Sequence, residues 1–399
     1  MKLTIQRLNH TGDGIAINNN IVHFIPKTIP KDIIEVKEED VITKKNYNIV
    51  TNYKLITPSS NREEIKCPYY KECGGCQLLG LNYKDQLKYK KEKVIDIFKK
   101  YTNLGINPEI IRTNNYHYRN KITLHAKDGK LGLYEKSTNK IIVIKECLLV
   151  SNEINSIIPI LQNKIKINNV KQIIIKQMNK DIMIQFIGKI NKDEVIKELS
   201  KIVSSIYEND SLIYGNIYLE ENLSEYKFYI SPNSFFQINR EGTIKIYEKV
   251  KEYLGSNNDN VLDLYCGTGT IGIYVSKYCK HITGIEINSS SVNNANKNIK
   301  ENKLKNIKIL EGDVGTLLKN DYKYDAIIVD PPRSGLDKRT KDTLLKMKSK
   351  KIIYVSCNPL TLARDINDLK EDFHLKDITL IDMFPNTYHV EIVTILEKI

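Results

Sequence analysis

Glycines and acidic residues follow successive apolar segments in the C-terminal half of the sequence, where they could bind a nucleotide-like ligand. Gly267 and Gly269 come directly after Val261–Leu264, Glu286 closes the next apolar segment, and Asp313 follows the third. Glycine lets a backbone pass close to a ligand, and an acid at the end of the second strand can accept two ribose hydroxyls. Asp313 could hold an adenine amino group. This order fits S-adenosylmethionine (SAM), and the lack of a full G-x-G-x-x-G run weighs against NAD.

A cysteine and a proline-flanked aspartate follow two further apolar segments. Cys357 comes just after Lys351–Ser356, and Asp330 precedes two prolines that fix a rigid loop. A structural cysteine is more often buried within a strand, so Cys357 is a candidate nucleophile. Its thiolate could add to carbon 6 of uracil, so that carbon 5 attacks the methyl group of SAM and a base then removes the carbon-5 proton. Glu391 is the predicted base, and His389 is the second choice.

Four of the seven cysteines form a separate group. Cys67, Cys73 and Cys76 lie close together around two glycines, and Cys147 follows much later in the chain. Four thiolates fit either a zinc site or a [4Fe–4S] cluster. Zinc sites usually pair two close knuckles, so three neighbouring cysteines with one distant partner favour iron–sulfur. We expect such a cluster to be structural, because the chemistry considered above needs no redox step.

The spacing and order of the apolar segments predict three domains. Residues 1–57 have the pattern of short strands broken by Gly and Pro, which suggests a small β-barrel. Residues 58–234 form an α+β region with the cysteine group, a helix over Asn82–Tyr101 and one further helical pattern at 192–207. Over residues 235–399 strands alternate with helices, which predicts an α/β domain with a parallel, doubly wound, Rossmann-like sheet. The loops described above would share the carboxyl edge of that sheet.

Charge and hydropathy restrict the partners and the compartment. The chain of 399 residues has 61 Lys and Arg against 48 Asp and Glu, a net charge of +13. Such an excess favours a polyanionic partner, although frequent Lys and Asn also indicate a compositional bias. No apolar stretch is long enough to span a membrane, and the first residues lack the apolar core of a signal peptide. We therefore expect a cytoplasmic monomer without disulfides, and we interpret Lys88–Lys93 as a solvated helix face.

Taken together, these motifs resemble the bacterial RNA uracil-5-methyltransferase family from one end of the chain to the other. The segment Ser231–Asn239, with the sequence SPNSFFQIN, is similar to the family's signature ahead of its methyltransferase domain. The four cysteines make the chain most similar to the branch that modifies 23S ribosomal RNA and carries an iron–sulfur cluster. Residues 1–57 resemble the family's TRAM domain, a small RNA-binding barrel. The resemblance also implies that the helix near 79–109 packs on the catalytic domain.

The resemblance implies a role for each matching residue. Cys357 corresponds to the nucleophile and Glu391 to the base, while Phe235 is expected to stack on the target base. The implied SAM contacts are Gln237, Tyr265, Thr270, Glu286, Asp313 and Asp330. The implied cluster ligands are Cys67, Cys73, Cys76 and Cys147.

The expected substrate is an unpaired uridine, because the base must leave its stack to reach Cys357. In the mixed aromatic and basic run Tyr116–Lys121, Arg119 and Lys121 could hold phosphates. Ribosomal RNA is preferred through the cluster-bearing branch, and tRNA and the identity of the uridine stay open. Two rival interpretations are a SAM enzyme that methylates an exocyclic nitrogen, which needs no cysteine, and an RNA-binding protein with a vestigial SAM site.

Overall fold

The computed structural model describes residues 1–136, 138–318 and 323–399. Eight short strands come first: β1 (Lys2–Thr4), β2 (Arg7–Leu8), β3 (Gly14–Asn18), β4 (Ile21–Ile25), β5 (Ile33–Glu35), β6 (Val41–Thr43), β7 (Tyr47–Val50) and β8 (Lys54–Thr57). They form two sheets, in the orders β2-β3-β4-β7-β6 and β1-β5-β8, rather than one closed hydrogen-bonded ladder. The chain changes sheets between β4 and β5, where Pro26 and Pro30 lack the N–H that would continue a ladder.

One long helix and one short strand follow, α1 (Tyr83–Thr102) and β9 (Glu109–Ile111). Asn82 caps the start of α1, where its side chain accepts a hydrogen bond from the Asp85 N–H. The interpretation of Lys88–Lys93 as a solvated face is wrong for two of its lysines, because Lys90 and Lys93 are buried. Their aliphatic stems pack inside while their ammonium groups find acceptors in a distant loop.

The central region is built on a seven-stranded sheet. Its elements are β10 (Lys121–Lys127), β11 (Lys130–Tyr134), β12 (Ile141–Val143), α2 (Asn152–Lys164), β13 (Val170–Met178), β14 (Asp181–Gly188), α3 (Lys192–Leu199), β15 (Ser205–Glu208), β16 (Ser211–Gly215), β17 (Leu219–Leu223) and β18 (Tyr226–Ile230). The sheet order is β12-β11-β10-β13-β14-β15-β16, and β17 and β18 form a separate hairpin. One face packs on α2 and α3.

Two sequence predictions differ from this region. The helical pattern at 192–207 ends at Leu199, because its last residues, Ser205–Glu208, pair as a strand with β14. The helix α2 was not predicted; Pro159 lies inside it and masks the helical pattern.

The C-terminal unit is a mixed α/β sheet with helices on both faces. Its elements are α4 (Arg240–Leu254), β19 (Asn258–Leu264), α5 (Thr270–Tyr274), β20 (Cys279–Glu286), α6 (Ser289–Glu301), β21 (Ile307–Glu311), α7 (Val314–Leu317), β22 (Lys323–Tyr324), β23 (Ala326–Val329), α8 (Lys338–Lys346), β24 (Lys348–Ser349), β25 (Lys351–Ser356), α9 (Pro359–Leu369), β26 (Phe373–Ile381) and β27 (Glu391–Lys398). The eight strands of the main sheet have the order β21-β20-β19-β23-β25-β27-β26-β9, and β22 pairs with β24 alone. Apolar cores fill both faces.

The expectation of an all-parallel sheet is wrong at one side. Five strands from β21 to β25 are parallel, but β27 runs antiparallel to both β25 and β26. Only residues 382–390 connect β26 to β27, and a link of that length is too short for the helical crossover that parallel strands need. The early strand β9 then joins the free side of β26 in parallel, and α1 packs with α9.

Within the described ranges, no helix is both long enough and apolar enough to cross a bilayer.

Candidate active site

The glycine loop lies between β19 and α5 at the carboxyl edge of the main sheet. Tyr265, Gly267 and Gly269 all have positive φ angles, of 60°, 56° and 76°. A Cβ on Gly267 would meet no heavy atom within 4 Å, so the space beside this backbone is open to a ligand. The Gly267 N–H donates to Oε2 of Glu286 over 3.0 Å, and the Asn288 N–H donates to Oε1 over 2.7 Å. These bonds hold the Glu286 carboxylate beside the loop.

The other predicted cofactor residues surround this loop. Thr270 begins α5, and its hydroxyl accepts a hydrogen bond from the Tyr247 hydroxyl over 2.7 Å. Asp313 is exposed after β21, where its Oδ1 accepts from the Thr316 hydroxyl over 2.9 Å. The Tyr265 hydroxyl lies 3.5 Å from Asp337 Oδ2, and burial raises the pKa of Tyr265 to about 12.

Asp263 is a buried acid beneath the loop that sequence reasoning did not single out. Its Oδ2 accepts from the Gly272 N–H over 3.1 Å, but its buried Oδ1 has no hydrogen-bond partner in the part of the chain described here. Burial first, and then the nearby Asp330, raise the pKa of Asp263 to about 7. Burial alone raises the pKa of Asp330 to about 7. Within the described ranges Asp263 thus has an unpartnered acceptor near the end of the strand that leads into the open Gly267 backbone, and this combination fits a ligand that carries donors, such as the amino and hydroxyl groups of SAM.

The SPNSFFQIN segment forms a compact loop between β18 and α4. Lys176, buried at the end of β13, donates to the carbonyls of Pro232 and Ser234 over 2.6 and 3.0 Å. Phe235 follows, with 67% of its surface exposed, whereas the neighbouring Phe236 is buried. The Gln237 carbonyl accepts from the Asn120 side chain over 3.1 Å. The bond at Gln237 uses its main chain, so the loop presents one exposed ring and one amide side chain that has no hydrogen-bond partner among the residues described.

Cys357 and Glu391 come together through strand pairing. The antiparallel register of β25 and β27 ends with Ser356 opposite Ile392, and one further step in the same register puts Cys357 opposite Glu391. Cys357 is partly exposed just before the N-terminus of α9, whereas Glu391 is 3% exposed. Burial and then the Glu391 carboxylate raise the pKa of Cys357 to about 11, and the Arg333 guanidinium opposes this shift.

Burial favours the uncharged form of both Glu391 and His389. Burial, followed by the charge of Asp330, raises the pKa of Glu391 well above its usual range, and Arg333 opposes this shift. Burial, followed by Arg333, lowers the pKa of His389 to about 4, so the imidazole is neutral. The His389 ring packs against Tyr388, with ring centroids 4.1 Å apart.

Arg333, which follows the two prolines after Asp330, is a functional candidate to which the sequence analysis gave no role. Its carbonyl accepts from the Asn358 side chain over 2.9 Å and from the Thr361 hydroxyl over 3.2 Å. The start of α9 thereby holds the Asp-Pro-Pro-Arg loop over Cys357. The sequence feature that could have identified Arg333 is its position three residues after Asp330, in a loop that two prolines make rigid.

Helix α1 fixes the loop that leads into Glu391. The Lys90 ammonium donates to Asp382 Oδ1 over 2.5 Å and to the Phe384 carbonyl over 3.0 Å, and both charged side chains are fully buried. Lys93 donates to the Tyr388 carbonyl over 2.8 Å. Hydrogen bonds from two lysines of α1 therefore fix the segment that leads into Glu391, the predicted base.

The four cysteines that the sequence predicts as metal-cluster ligands line one cavity. Cys67, Cys73, Cys76 and Cys147 line a cavity of about 360 Å³ in the central region. Burial raises the pKa of Cys76 and of Cys147. Within residues 1–136, 138–318 and 323–399, however, no group of three or more His, Cys, Asp or Glu side chains is arranged to hold a metal ion. The thiols share a space without converging on one point. Cys266 and Cys279, by contrast, are buried in the core.

Arg119 and Lys121 lie at this cavity rather than on an open surface. Both line the cysteine cavity, and both are only partly exposed. Arg119 also forms backbone bridges to Val150 and Asn239, because the chain passes here between the central and C-terminal regions. Burial and then Arg119 lower the pKa of Lys121. The structure does not bring these two side chains to Cys357 directly.

Comparison with known proteins places this geometry in a family. A sequence model of the family described as tRNA (Uracil-5-)-methyltransferase matches residues 82–399. A Clostridium tetani protein described as an uncharacterized RNA methyltransferase is 33% identical, over 99% of this chain and 95% of its own length. A Staphylococcus aureus (strain N315) protein with the same description is 34% identical, over 98% of this chain and 96% of its own length.

A solved structure extends the similarity to three dimensions. The crystal structure of Pyrococcus abyssi tRNA (uracil-54, C5)-methyltransferase with S-adenosyl-L-homocysteine has a TM-score of 0.83 and 27% identity. The similarity covers 99% of this chain and 100% of that chain. Fold and site together define a SAM-dependent RNA methyltransferase. The chain belongs to the tRNA (uracil-5-)-methyltransferase family.

Proposed function

We propose that this enzyme transfers a methyl group from SAM to carbon 5 of an unpaired uridine in RNA, with Cys357 as nucleophile and Glu391 as base. The observation that carries the proposal is the position of Cys357 directly after the Ser356–Ile392 pair of β25 and β27, where Glu391 raises and Arg333 lowers the pKa of its thiol. An enzyme that methylates an exocyclic nitrogen has no use for a thiol at this place. A binding protein with a vestigial site would not need the acids that surround the glycine loop.

The residues around the loop support binding of SAM. Glu286 is held to accept the ribose hydroxyls, and Asp313 stands exposed where an adenine amino group could be held. Tyr265, Thr270, Gln237 and Asp330 are proposed to complete the contacts. SAM, when bound, supplies an electrophilic methyl group and a positive charge.

The remaining steps belong to residues of this chain. The Cys357 thiolate adds to carbon 6 of the uracil, and Phe235 stacks on the ring that has left the RNA stack. Carbon 5 takes the methyl group, Glu391 removes the carbon-5 proton, and the thiolate leaves carbon 6. In the ligand-free protein the pKa of about 11 keeps Cys357 protonated near neutral pH, and the raised pKa of Glu391 favours its protonated form. Arg333 opposes both shifts, so it favours the charged forms that the reaction needs.

Trapping of the covalent enzyme–RNA adduct tests the proposed mechanism. RNA containing 5-fluorouracil has no carbon-5 proton to lose, so the adduct should accumulate as a covalent complex that survives denaturing gel electrophoresis. Cys357→Ala should form no complex, while Cys279→Ala, which changes a core cysteine far from the RNA chemistry, should form it. Full methylation by Cys357→Ala would exclude the proposed nucleophile and favour nitrogen methylation. Failure of the wild-type protein to bind SAM would favour the vestigial site.

For the target we propose 23S ribosomal RNA, with tRNA as the alternative. The four cysteines that share a cavity favour the ribosomal branch, whereas the structural relative from Pyrococcus abyssi is described as acting on uracil 54 of tRNA. Mass mapping of 5-methyluridine in both RNAs, from a strain with and without the gene, decides between them. A modification lost from tRNA alone would overturn the ribosomal assignment.

We further propose that Cys67, Cys73, Cys76 and Cys147 hold a [4Fe–4S] cluster with a structural role. The shared cavity supports this, because each iron of a cluster takes one thiolate and the four sulfurs stand apart, unlike the ligands of a single ion. Residues 1–57 are proposed to act as a TRAM-like RNA-binding unit, and Arg119 and Lys121 to contact RNA. The enzyme is proposed to act as a cytoplasmic monomer.

A further inference from the structure

One face of the central sheet is partly uncovered. Side chains alternate between the faces of a strand, and Ile122, Leu124 and Ile173 point into the core beneath α2 and α3. The intervening positions therefore lie on the opposite face. Over β12, β11 and β10 this face is accessible, since Tyr134 is 38% exposed and Val143 is 46% exposed.

The composition of this face is one-sided in charge. Lys127 and Lys130 lie at its exposed end and pair with each other across the β10–β11 hairpin, whose turn contains Asp128. The positions that β10, β11 and β12 place on this face include no Asp or Glu. The two exposed ammonium groups outnumber the single carboxylate in the turn, and this positive excess attracts a polyanion.

Two aromatic rings form a stack on the same face. The rings of His125 and Tyr134 lie nearly parallel, with centroids 3.9 Å apart and an interplanar angle of 25°. Gly132 pairs with His125 and adds no side chain of its own. A Cβ there would lie 1.9 Å from the Ile142 carbonyl oxygen. The surface next to the two stacked rings is therefore flat backbone without a side chain. The planar base of any RNA nucleotide can stack on such rings.

This face continues toward the loop that presents Phe235. Lys121 pairs in register with Lys176, so both side chains lie on the same face. Lys176 binds the carbonyls of Pro232 and Ser234, directly before the exposed ring of Phe235. Lys121 and Lys176 thus connect the strand that carries His125 to the loop that presents Phe235.

We propose that this surface, called the open face and defined by His125, Lys127, Lys130 and Tyr134, binds a single-stranded RNA segment that adjoins the target uridine. The continuation to Phe235 rests on the proposed function, whereas RNA binding by the open face does not require it. The centre of a protein–protein interface is depleted of charge, so the two exposed lysines of the open face favour RNA over a protein partner. Bases stack on His125 and Tyr134 while the lysines contact phosphates.

Binding of a fluorescein-labelled oligouridine, followed by anisotropy without SAM, tests the proposal independently of methyl transfer. The double variant His125→Ala/Tyr134→Ala should bind about tenfold more weakly, since a base loses its stacking partner. In Lys127→Ala/Lys130→Ala the slope of log affinity against log salt should become less negative by about 1.4, or 0.7 for each lost phosphate contact. The control Lys197→Ala/Lys201→Ala removes two exposed lysines at the other face of the sheet and should keep affinity close to that of the wild type.

Two results would overturn the proposal. One is wild-type affinity and salt slope in both open-face variants. The other is a wild-type protein that self-associates in sedimentation while His125→Ala/Tyr134→Ala is monomeric, because the open face would then be a protein interface. SAM affinity and the melting temperature show whether each variant is folded. If His125→Ala/Tyr134→Ala does not fold, the affinity and salt slope of Lys127→Ala/Lys130→Ala alone test the proposal. Loss of the 5-fluorouracil adduct with intact oligouridine binding would reject only the proposed reaction.

Discussion

Cys357 and Glu391 face each other one residue beyond the Ser356–Ile392 pair that ends the β25–β27 ladder. Glu391 is fixed by its pairing with Ile381 of β26, and Cys357 comes one residue after the last paired residue of β25, so the sheet positions both side chains. A thiol and a carboxyl in this arrangement suit two successive steps at neighbouring carbons of one ring.

Glu391→Gln should separate these two steps. An amide cannot accept the carbon-5 proton, so the adduct should form, take the methyl group and persist, and turnover should fall by about 10²–10⁴. The measurement is covalent protein–RNA complex formed with ordinary uridine RNA, together with the steady-state rate. Glu397→Gln, near the far end of the same strand, is the control. A variant that turns over normally would remove Glu391 from the mechanism.

The reactivity of Cys357 should depend on pH in a defined direction. Its raised pKa of about 11 means that the thiolate fraction of the ligand-free protein grows with pH throughout the range from 7 to 10. Alkylation by iodoacetamide, followed at this peptide by mass spectrometry, should accelerate about tenfold per pH unit, because the thiolate is the reactive form. Arg333→Gln removes the charge that lowers this pKa, so its alkylation should be slower at each pH. A plateau already at pH 9 would contradict the buried, carboxylate-flanked environment.

Glu286→Ala should weaken SAM binding by about 10- to 100-fold, since hydrogen bonds to a charged group contribute about 1.5–3 kcal/mol. Isothermal titration calorimetry with SAM measures this effect. Glu311→Ala is the matched control, because Glu311 pairs with Glu286 in register at the end of the adjacent strand β21 but is not bonded to the glycine loop. Equal loss in both variants would mean that the effect is structural.

Breaking the buried Lys90–Asp382 pair should be costly. Lys90→Met leaves the Asp382 carboxylate buried without its partner, and such a change typically costs about 3–5 kcal/mol. Urea unfolding gives the free energy. Lys88→Met on the solvent side of the same helix should change it by about 0.5 kcal/mol or less. Lys90→Met/Asp382→Asn should recover part of the loss, and a loss that persists unchanged would point to packing of the lysine stem instead.

Purification without oxygen should yield a brown protein with broad visible absorption and about four irons per chain. Cys147→Ser should lose this absorption because it removes one of the four thiolates, while Cys279→Ser should retain it. A colourless protein loaded with zinc would reject the proposed cluster.

The sequence indicated the class of enzyme because its signals were local. The glycine loop, the acids after successive strands and the cysteine after β25 each follow an apolar segment, and the α/β methyltransferase class and the family are confirmed by the comparisons. The cluster-bearing ribosomal branch stays a prediction.

Long-range contacts were not visible in the pattern. Lys90 and Lys93 looked like part of a solvated run, because nothing near them in sequence announces Asp382 or Tyr388. The antiparallel direction of β27 was not predicted because β26, the strand before it, was not recognised. The sequence of β26 lacks a clear strand pattern, since its buried residues are concentrated at its C-terminal end. Arg333 received no role in the sequence analysis, because its position beside Cys357 depends on hydrogen bonds from the start of α9.

The strand β9 has a practical consequence for anyone who shortens this protein. The Thr113 hydroxyl donates to the Asp382 carbonyl over 2.7 Å although 269 positions separate them, and β9 just before it covers the outer side of β26. A fragment that starts at residue 235 would leave β26 as a bare edge strand, which is prone to pair with other chains and aggregate. It would also lose α1, and with it the helix that packs on α9. During synthesis α1 and β9 must wait until β26 and β27 have emerged, so the completion of these late strands, rather than local folding, should set when the catalytic sheet closes.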